Sequence, residues 1–152
     1  MGINQSGQVC LLQTQGNPDG HVILRGGKKP NYHEEDVALC EAHMIKAGLT
    51  PSLMIDCSHG NSNKDFRRQS VVVDSVIEQI KKGNQSITGI MLESHINEGN
   101  QSSEQPRSEM KYGVSVTDAC ISWETTESVL RNLHQQISPV LAQRAAQLRK
   151  VS

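Results

Sequence analysis

Arg25, His59 and Glu93 stand 34 residues apart, and each closes a short apolar run: HVILRGG, SLMIDCSHG and ITGIMLESH. Imidazole and carboxylate together make a borderline-to-hard ligand set, suited to divalent first-row metals such as Mn, Fe, Co or Zn. His59 and Glu93 could supply two ligands, and Asp118 in VSVTDACISWE a third once the chain folds back. His95 competes with Glu93, and pattern alone does not choose between them. Asp118 also has an ordinary alternative, as the N-cap of a helix. Arg25, followed by Gly26 and Gly27, has the make-up of an anion clamp. Its planar fork matches phosphate or carboxylate, and glycine allows close backbone approach. Lys28 and Lys29 add positive potential beside it. A metal and an anion clamp on one face suit a phosphorylated substrate with a carbonyl to polarise.

The elements that must position these groups are legible as an alternation. Each apolar run is aliphatic, short, and bounded by polar or glycine residues, which reads as a strand buried on both faces. Between the first two runs a capping box is expected, with Asn31 as N-cap and Glu34 three residues on. Val37, Cys40, Met44 and Ala47 follow at helical spacing, with Gly48 at the C-terminal cap. From Lys64 to Gly83 the stripe is Val72, Val76, Ile77 and Ile80, and Lys81 and Lys82 suit the negative end of that helix. A third helix is expected from about Thr125 to Ile137, carrying Val129, Leu130, Leu133 and Ile137. Pro139 then opens a separate polar helical segment, Val140 to Lys150.

Three strand–helix alternations predict an α/β fold with a parallel sheet. Functional groups in such sheets gather at the C-terminal strand ends, where Arg25, His59 and Glu93 stand. The first twenty residues fit less well. They read as a short strand, Val9 to Gln13, and a turn at Asn17 to Gly20: one arm of a hairpin without its partner. Asn97 to Gly113 is a long polar loop, of the kind that is usually functional or mobile.

Composition narrows the partners. The 152 residues suit one domain, and an aromatic content of 3% leaves the core to Val, Ile, Leu and Met. Fifteen basic residues against 16 acidic give a net charge of -1, with no electrostatic footprint for nucleic acid or an anionic membrane. No apolar run is long enough to span a bilayer. The opening MGINQSGQ has no basic or apolar signal region, and the four cysteines form no CxxC pair. A cytoplasmic protein with reduced thiols is therefore expected. Cys57 and Cys120 read as small buried hydrophobes rather than nucleophiles.

Four blocks carry a family resemblance: GNPDGHVILRGGKKPNY, MIDCSHGNSNKDFRRQ, ESHINEGNQ and YGVSVTDACISWE. From about Gly7 to about Ile137 the sequence resembles type I 3-deoxy-D-arabino-heptulosonate 7-phosphate (DAHP) synthases, most closely the tyrosine-sensitive class. The resemblance implies a (β/α)8 (TIM) barrel, of which this chain holds the last three βα units preceded by part of a β-hairpin. Residues 1–20 would be hairpin and turn, 21–138 the three units, and 139–152 a helical tail. It implies condensation of phosphoenolpyruvate with erythrose 4-phosphate to DAHP and phosphate, the first step of the shikimate pathway to aromatic amino acids. It further implies that His59, Glu93 and Asp118 are metal ligands, that Arg25 holds phosphoenolpyruvate, and that Leu12 is a remnant of the inhibitor site.

Members of the family are more than twice as long. Their fourth ligand, a cysteine at an early strand end, has no counterpart, since Cys57 and Cys120 lie in other motifs. The KPRT-type motif with its phosphoenolpyruvate-binding lysine is also missing. The chain is therefore expected to be inactive unless an N-terminal half or homologous subunits complete it. The alternative is a non-catalytic gene remnant that at most binds metal or full-length subunits. Three strands cannot close a barrel, so loose packing or aggregation is expected of the isolated chain.

Overall fold

Leu53, Met54, Ile55 and Asp56 form the central strand of a three-stranded parallel sheet. In chain order the main elements are β1 (Gly2–Ile3), β2 (Val9–Cys10), β3 (Val22–Leu24), α1 (Glu34–Lys46), β4 (Leu53–Asp56), α2 (Gln69–Lys81), β5 (Ile87–Met91) and α3 (Trp123–Leu148). The computed structural model describes residues 1–17 and 19–148. The expected turn residue Pro18 and the end of the expected tail, 149–152, lie outside the described residues.

The sheet order is β3–β4–β5, with Leu24 opposite Ile55 and Ile55 opposite Ile90. A helix follows β3 and another follows β4, returning the chain to start the next strand in the same direction. Leu24, Leu53, Ile55 and Ile87 turn to the helices and are buried with Val37, Met44 and the apolar face of α2. The expectation that the strands are buried on both faces is corrected. Ile23, paired with Met54 on the opposite face, is 43% exposed, because the three helices all pack into the one core.

Local chemistry sets the helix ends. Helix α1 starts at Glu34 after His33, not at an Asn31 cap. The Asn31 side chain is engaged elsewhere, its Oδ1 accepting the Gly26 N–H at 2.7 Å. Three acidic residues, Glu34, Glu35 and Asp36, complement the positive end of the helix instead. At the other end Gly48, at φ +74, closes a Schellman motif: its N–H bonds Ile45 O, and Leu49 N–H bonds Met44 O.

Helix α2 also begins later than expected. Asn63 and Lys64 take left-handed backbone conformations (φ +53 and +61), and a 3-10 turn, Phe66–Arg68, intervenes before Gln69. The expected stripe of Val72, Val76, Ile77 and Ile80 is buried, joined by Val73, Gln69 and Gln79. Such wide burial follows from position, since α2 packs on the sheet and on α3 together.

Helix α3 runs unbroken through Pro139, which corrects the expected start of a separate helix there. Proline removes one backbone donor. Val129, Leu133, Ile137 and Val140 nevertheless pack on the core from both sides of it. Ser138 Oγ donates to the His134 carbonyl (2.6 Å), and Arg144 donates to the Ile80 and Asn84 carbonyls at the end of α2. Leu130, expected in the stripe, is 43% exposed.

Two further corrections concern strands. The hairpin arm has its partner within the chain: Gly2–Ile3 pairs antiparallel with Val9–Cys10, a shorter strand than Val9 to Gln13. Between β5 and α3 the chain adds a fourth extended segment. After the loop, Ile121 N–H donates to Glu93 O and His95 N–H to Ile121 O, both at 3.0 Å, as a parallel bridge. The loop is closed by Asn97 N–H on Gly113 O (2.7 Å). The Gln101 side chain bonds both backbone groups of Lys111. No helix of the described residues is long and apolar enough to cross a membrane.

Candidate metal centre

Strand β4 ends at Asp56, and the next residues turn sharply: Cys57 and Ser58 are buried, and His59 takes φ +45. This turn aims the His59 ring across the ends of the neighbouring strands. Its Nε2 lies 3.5 Å from Glu93 Oε1 and 3.9 Å from Asp118 Oδ2. One nitrogen and two carboxylate oxygens thus lie within 4.8 Å of one another. The other ring nitrogen, Nδ1, is 2.8 Å from Asp56 Oδ2 and 2.7 Å from Ser58 Oγ.

Glu93 follows β5, and α2 holds its peptide. Gln69, fully buried, accepts the Glu93 N–H at 2.8 Å and donates to its carbonyl at 3.0 Å. Partial burial pushes the Glu93 carboxyl above its usual range; the Asp118 and Asp56 carboxylates push the same way, and His59 opposes them. Asp118 rides on the extended return segment with its side chain 72% exposed. It caps no helix. Ser122 has that role for α3, its Oγ accepting the Thr125 N–H. His95, the rival of Glu93, is exposed, and its Nδ1 bonds the Gly113 carbonyl instead.

Arg25 directly follows β3 and is exposed, and it does not line the cavity at the triad. Its carbonyl accepts the Gly60 N–H at 3.1 Å, which ties the β3 end to the His59 turn. The expectation that the glycines serve an anion is corrected for Gly26. A Cβ there would stand 2.6 Å from the Gly60 carbonyl carbon, and one on Gly60 2.8 Å from that of Gly26. Two backbones touch at these glycines, whereas Gly27 faces open space. Lys28 and Lys29 are exposed. Leu12 is 60% exposed, and its side chain covers Gly2 of the hairpin.

Three residues escaped the sequence reading. Asp56 carries a signal in its spacing, three residues before His59. Lys64 lines the cavity with Ser62 and Phe66, although its sequence position reads as a helix start. Gln69 carries no signal, being one polar residue at the head of an apolar helix.

The model of the DAHP synthetase I family matches residues 2–131. The Tyr-sensitive phospho-2-dehydro-3-deoxyheptonate aldolase of Enterobacter agglomerans is 75% identical over 147 residues, 97% of this chain and 69% of that protein. Its namesake in Escherichia coli is 71% identical over 146 residues, so that this chain spans only 41% of the length of that relative. The solved structure of phospho-2-dehydro-3-deoxyheptonate aldolase from Francisella tularensis superposes with a TM-score of 0.82 at 42% identity. That match covers 90% of this chain and 39% of that one. A family match over most of the chain, and likeness in sequence and backbone alike, lead to one conclusion: the chain belongs to the DAHP synthetase I family.

Proposed function

We propose that this chain supplies part of the active site of a 3-deoxy-7-phosphoheptulonate synthase, with His59, Glu93 and Asp118 holding a divalent metal ion of the Mn, Fe, Co or Zn class. The observation that carries the reading is the convergence of one imidazole nitrogen and two carboxylate oxygens from the turn after β4, the end of β5 and the return segment. The donor set fits such an ion. The fit is also electrostatic, because neighbouring carboxylates help hold the Glu93 carboxyl above its usual range, and a cation would relieve that repulsion. When bound, the ion would act as a Lewis acid toward a carbonyl oxygen.

The substrates in this reading are phosphoenolpyruvate and erythrose 4-phosphate. C3 of phosphoenolpyruvate bonds to the aldehyde carbon, water adds at C2, and phosphate departs. Arg25 would hold the phosphate or carboxylate of phosphoenolpyruvate through paired N–H donors. Its strand end is joined to the His59 turn by the Gly60 hydrogen bond, so anion and ligand groups would move as one unit. The half-covered sheet is read as an arc of a (β/α)8 barrel, with residues 21–138 as barrel, 1–20 as part of the inhibitor-site hairpin including Leu12, and the chain from 139 onward as tail. Turnover would then require the rest of the barrel, as an N-terminal half or a homologous subunit.

The test is a DAHP-forming assay with Mn²⁺ and both substrates, on the chain alone and mixed with the separately expressed N-terminal half of a homologue. Product in the mixture only is expected. Association of the two parts without any product would overturn the reading and leave a non-catalytic remnant.

A further inference from the structure

We propose that Asp56 is a positioning residue that fixes the tautomer of His59, so that the imidazole offers the Nε2 lone pair to the cluster with Glu93 and Asp118. The inference rests on the metal reading above, and it concerns a residue three positions before the ligand. Asp56 is 2% exposed, and its backbone carbonyl accepts from Asn61 Nδ2 at 2.8 Å. Strand pairing with Met91 holds it in the sheet.

Proton counting then decides the ring. Asp56 Oδ1 accepts both the Ser58 N–H (2.8 Å) and the Ser58 hydroxyl (2.6 Å). Having given its one proton to Asp56, Ser58 Oγ can only accept from His59 Nδ1. Asp56 Oδ2, 2.8 Å from the same nitrogen, can only accept as well. Two acceptors therefore face Nδ1, which must carry the proton. A neutral imidazole has one N–H, so Nε2 is left with its lone pair. The distances on that side agree. At 3.5 and 3.9 Å, Glu93 and Asp118 are too far to receive a proper hydrogen bond from Nε2. A carboxylate behind a ligating histidine orients the ring and raises its basicity, and loss of such a partner typically lowers metal affinity about 10–100-fold.

Asp56→Asn is the informative change. The Ser58 donors would keep the amide oxygen in the Oδ1 position, which turns the amide NH₂ toward Nδ1. Nδ1 must then accept, and the proton moves to Nε2. The experiment is ¹⁵N-edited NMR of the His59 ring in metal-free full chain, at a pH where imidazole is neutral, paired with calorimetric titration of Mn²⁺. Expected are Nδ1–H in the wild type, Nε2–H in Asp56→Asn, and Mn²⁺ affinity about 10–100-fold weaker in the variant. Ser58→Ala, which leaves Asp56 in place, should keep the Nδ1–H form. An Nε2–H ring in the wild type would overturn the proposal without any variant, even if Asp56→Asn fails to fold. So would a folded Asp56→Asn with unchanged Mn²⁺ affinity. Tautomers that switch as stated in a wild type that binds no Mn²⁺ would uphold the role of Asp56 and sink the metal reading instead.

Discussion

The Gln69 side-chain amide brackets the peptide of Glu93, with Nε2 donating to the Glu93 carbonyl at 3.0 Å and Oε1 accepting the Glu93 N–H at 2.8 Å. The first residue of α2 thereby stands in for a strand neighbour at the end of β5. The carbonyl it holds also accepts from Ile121, so α2, β5 and the return segment meet at one peptide.

Gln69→Ala should cost about 2–4 kcal/mol, because it strands backbone groups and opens a cavity in the core. Gln69→Glu keeps the shape but loses the donor and adds buried charge, so it should be no better tolerated. Urea unfolding reads the cost, and Mn²⁺ titration reads the displacement of Glu93. An unchanged unfolding midpoint for Gln69→Ala would refute the clamp.

Gly26 and Gly60 offer a test of the loop junction with an internal control. Gly26→Ala places a Cβ 2.6 Å from the backbone of Gly60 at a φ of +75, and backbone cannot swing aside as a side chain would. A loss of about 1–3 kcal/mol is expected, with weaker Mn²⁺ binding through the displaced His59 turn. Gly27→Ala, which meets open space, should change neither. Equal effects of the two substitutions on thermal midpoint would contradict this account.

Glu93 predicts a pH dependence of the metal-free protein. Its carboxyl is pushed up by burial first, so the folded state holds a proton that the unfolded chain has already lost. Stability from this group is fully present below the unfolded value of about 4.3 and is lost as pH rises through the folded value. In chelator, Glu93→Gln should flatten the fall of the unfolding midpoint across that window. Mn²⁺ should stabilise the wild type increasingly as pH rises, since the ion needs the charged carboxylate. The same slope in both proteins would show that Glu93 is not the titrating group.

Cys57 should be chemically silent. Its thiol is pushed up to about 12 by burial and by the nearby Asp56 carboxylate, and the residue has 0% exposure. Mass mapping after iodoacetamide treatment should find Cys57 unmodified in the native chain and alkylated in step with global unfolding in urea. Alkylation well before the unfolding transition would mean that the β4 end opens locally.

The sequence by itself determined the three parallel strands and the helices that follow the first two, because aliphatic runs, helical spacing and glycine stops are local signals that this fold obeys. It also determined which residue types stand at the strand ends, and the 34-residue rhythm singled out Arg25, His59 and Glu93. Only the tertiary structure decided the rest. Asn31 looked like a cap, but its own N–H is held by the Asn61 side chain thirty residues on, while its Oδ1 accepts from Gly26. Pro139 looked like a helix boundary, yet packing on both sides of it carries α3 through. Asp118 reaches His59 because the return segment bridges Ser94, just past β5, and Glu93 is seated by a glutamine 24 residues earlier. The physical reason is common to all of these. Propensity acts within a few residues, whereas hydrogen-bond partners and steric contacts are set by whichever distant backbone the folded chain brings alongside.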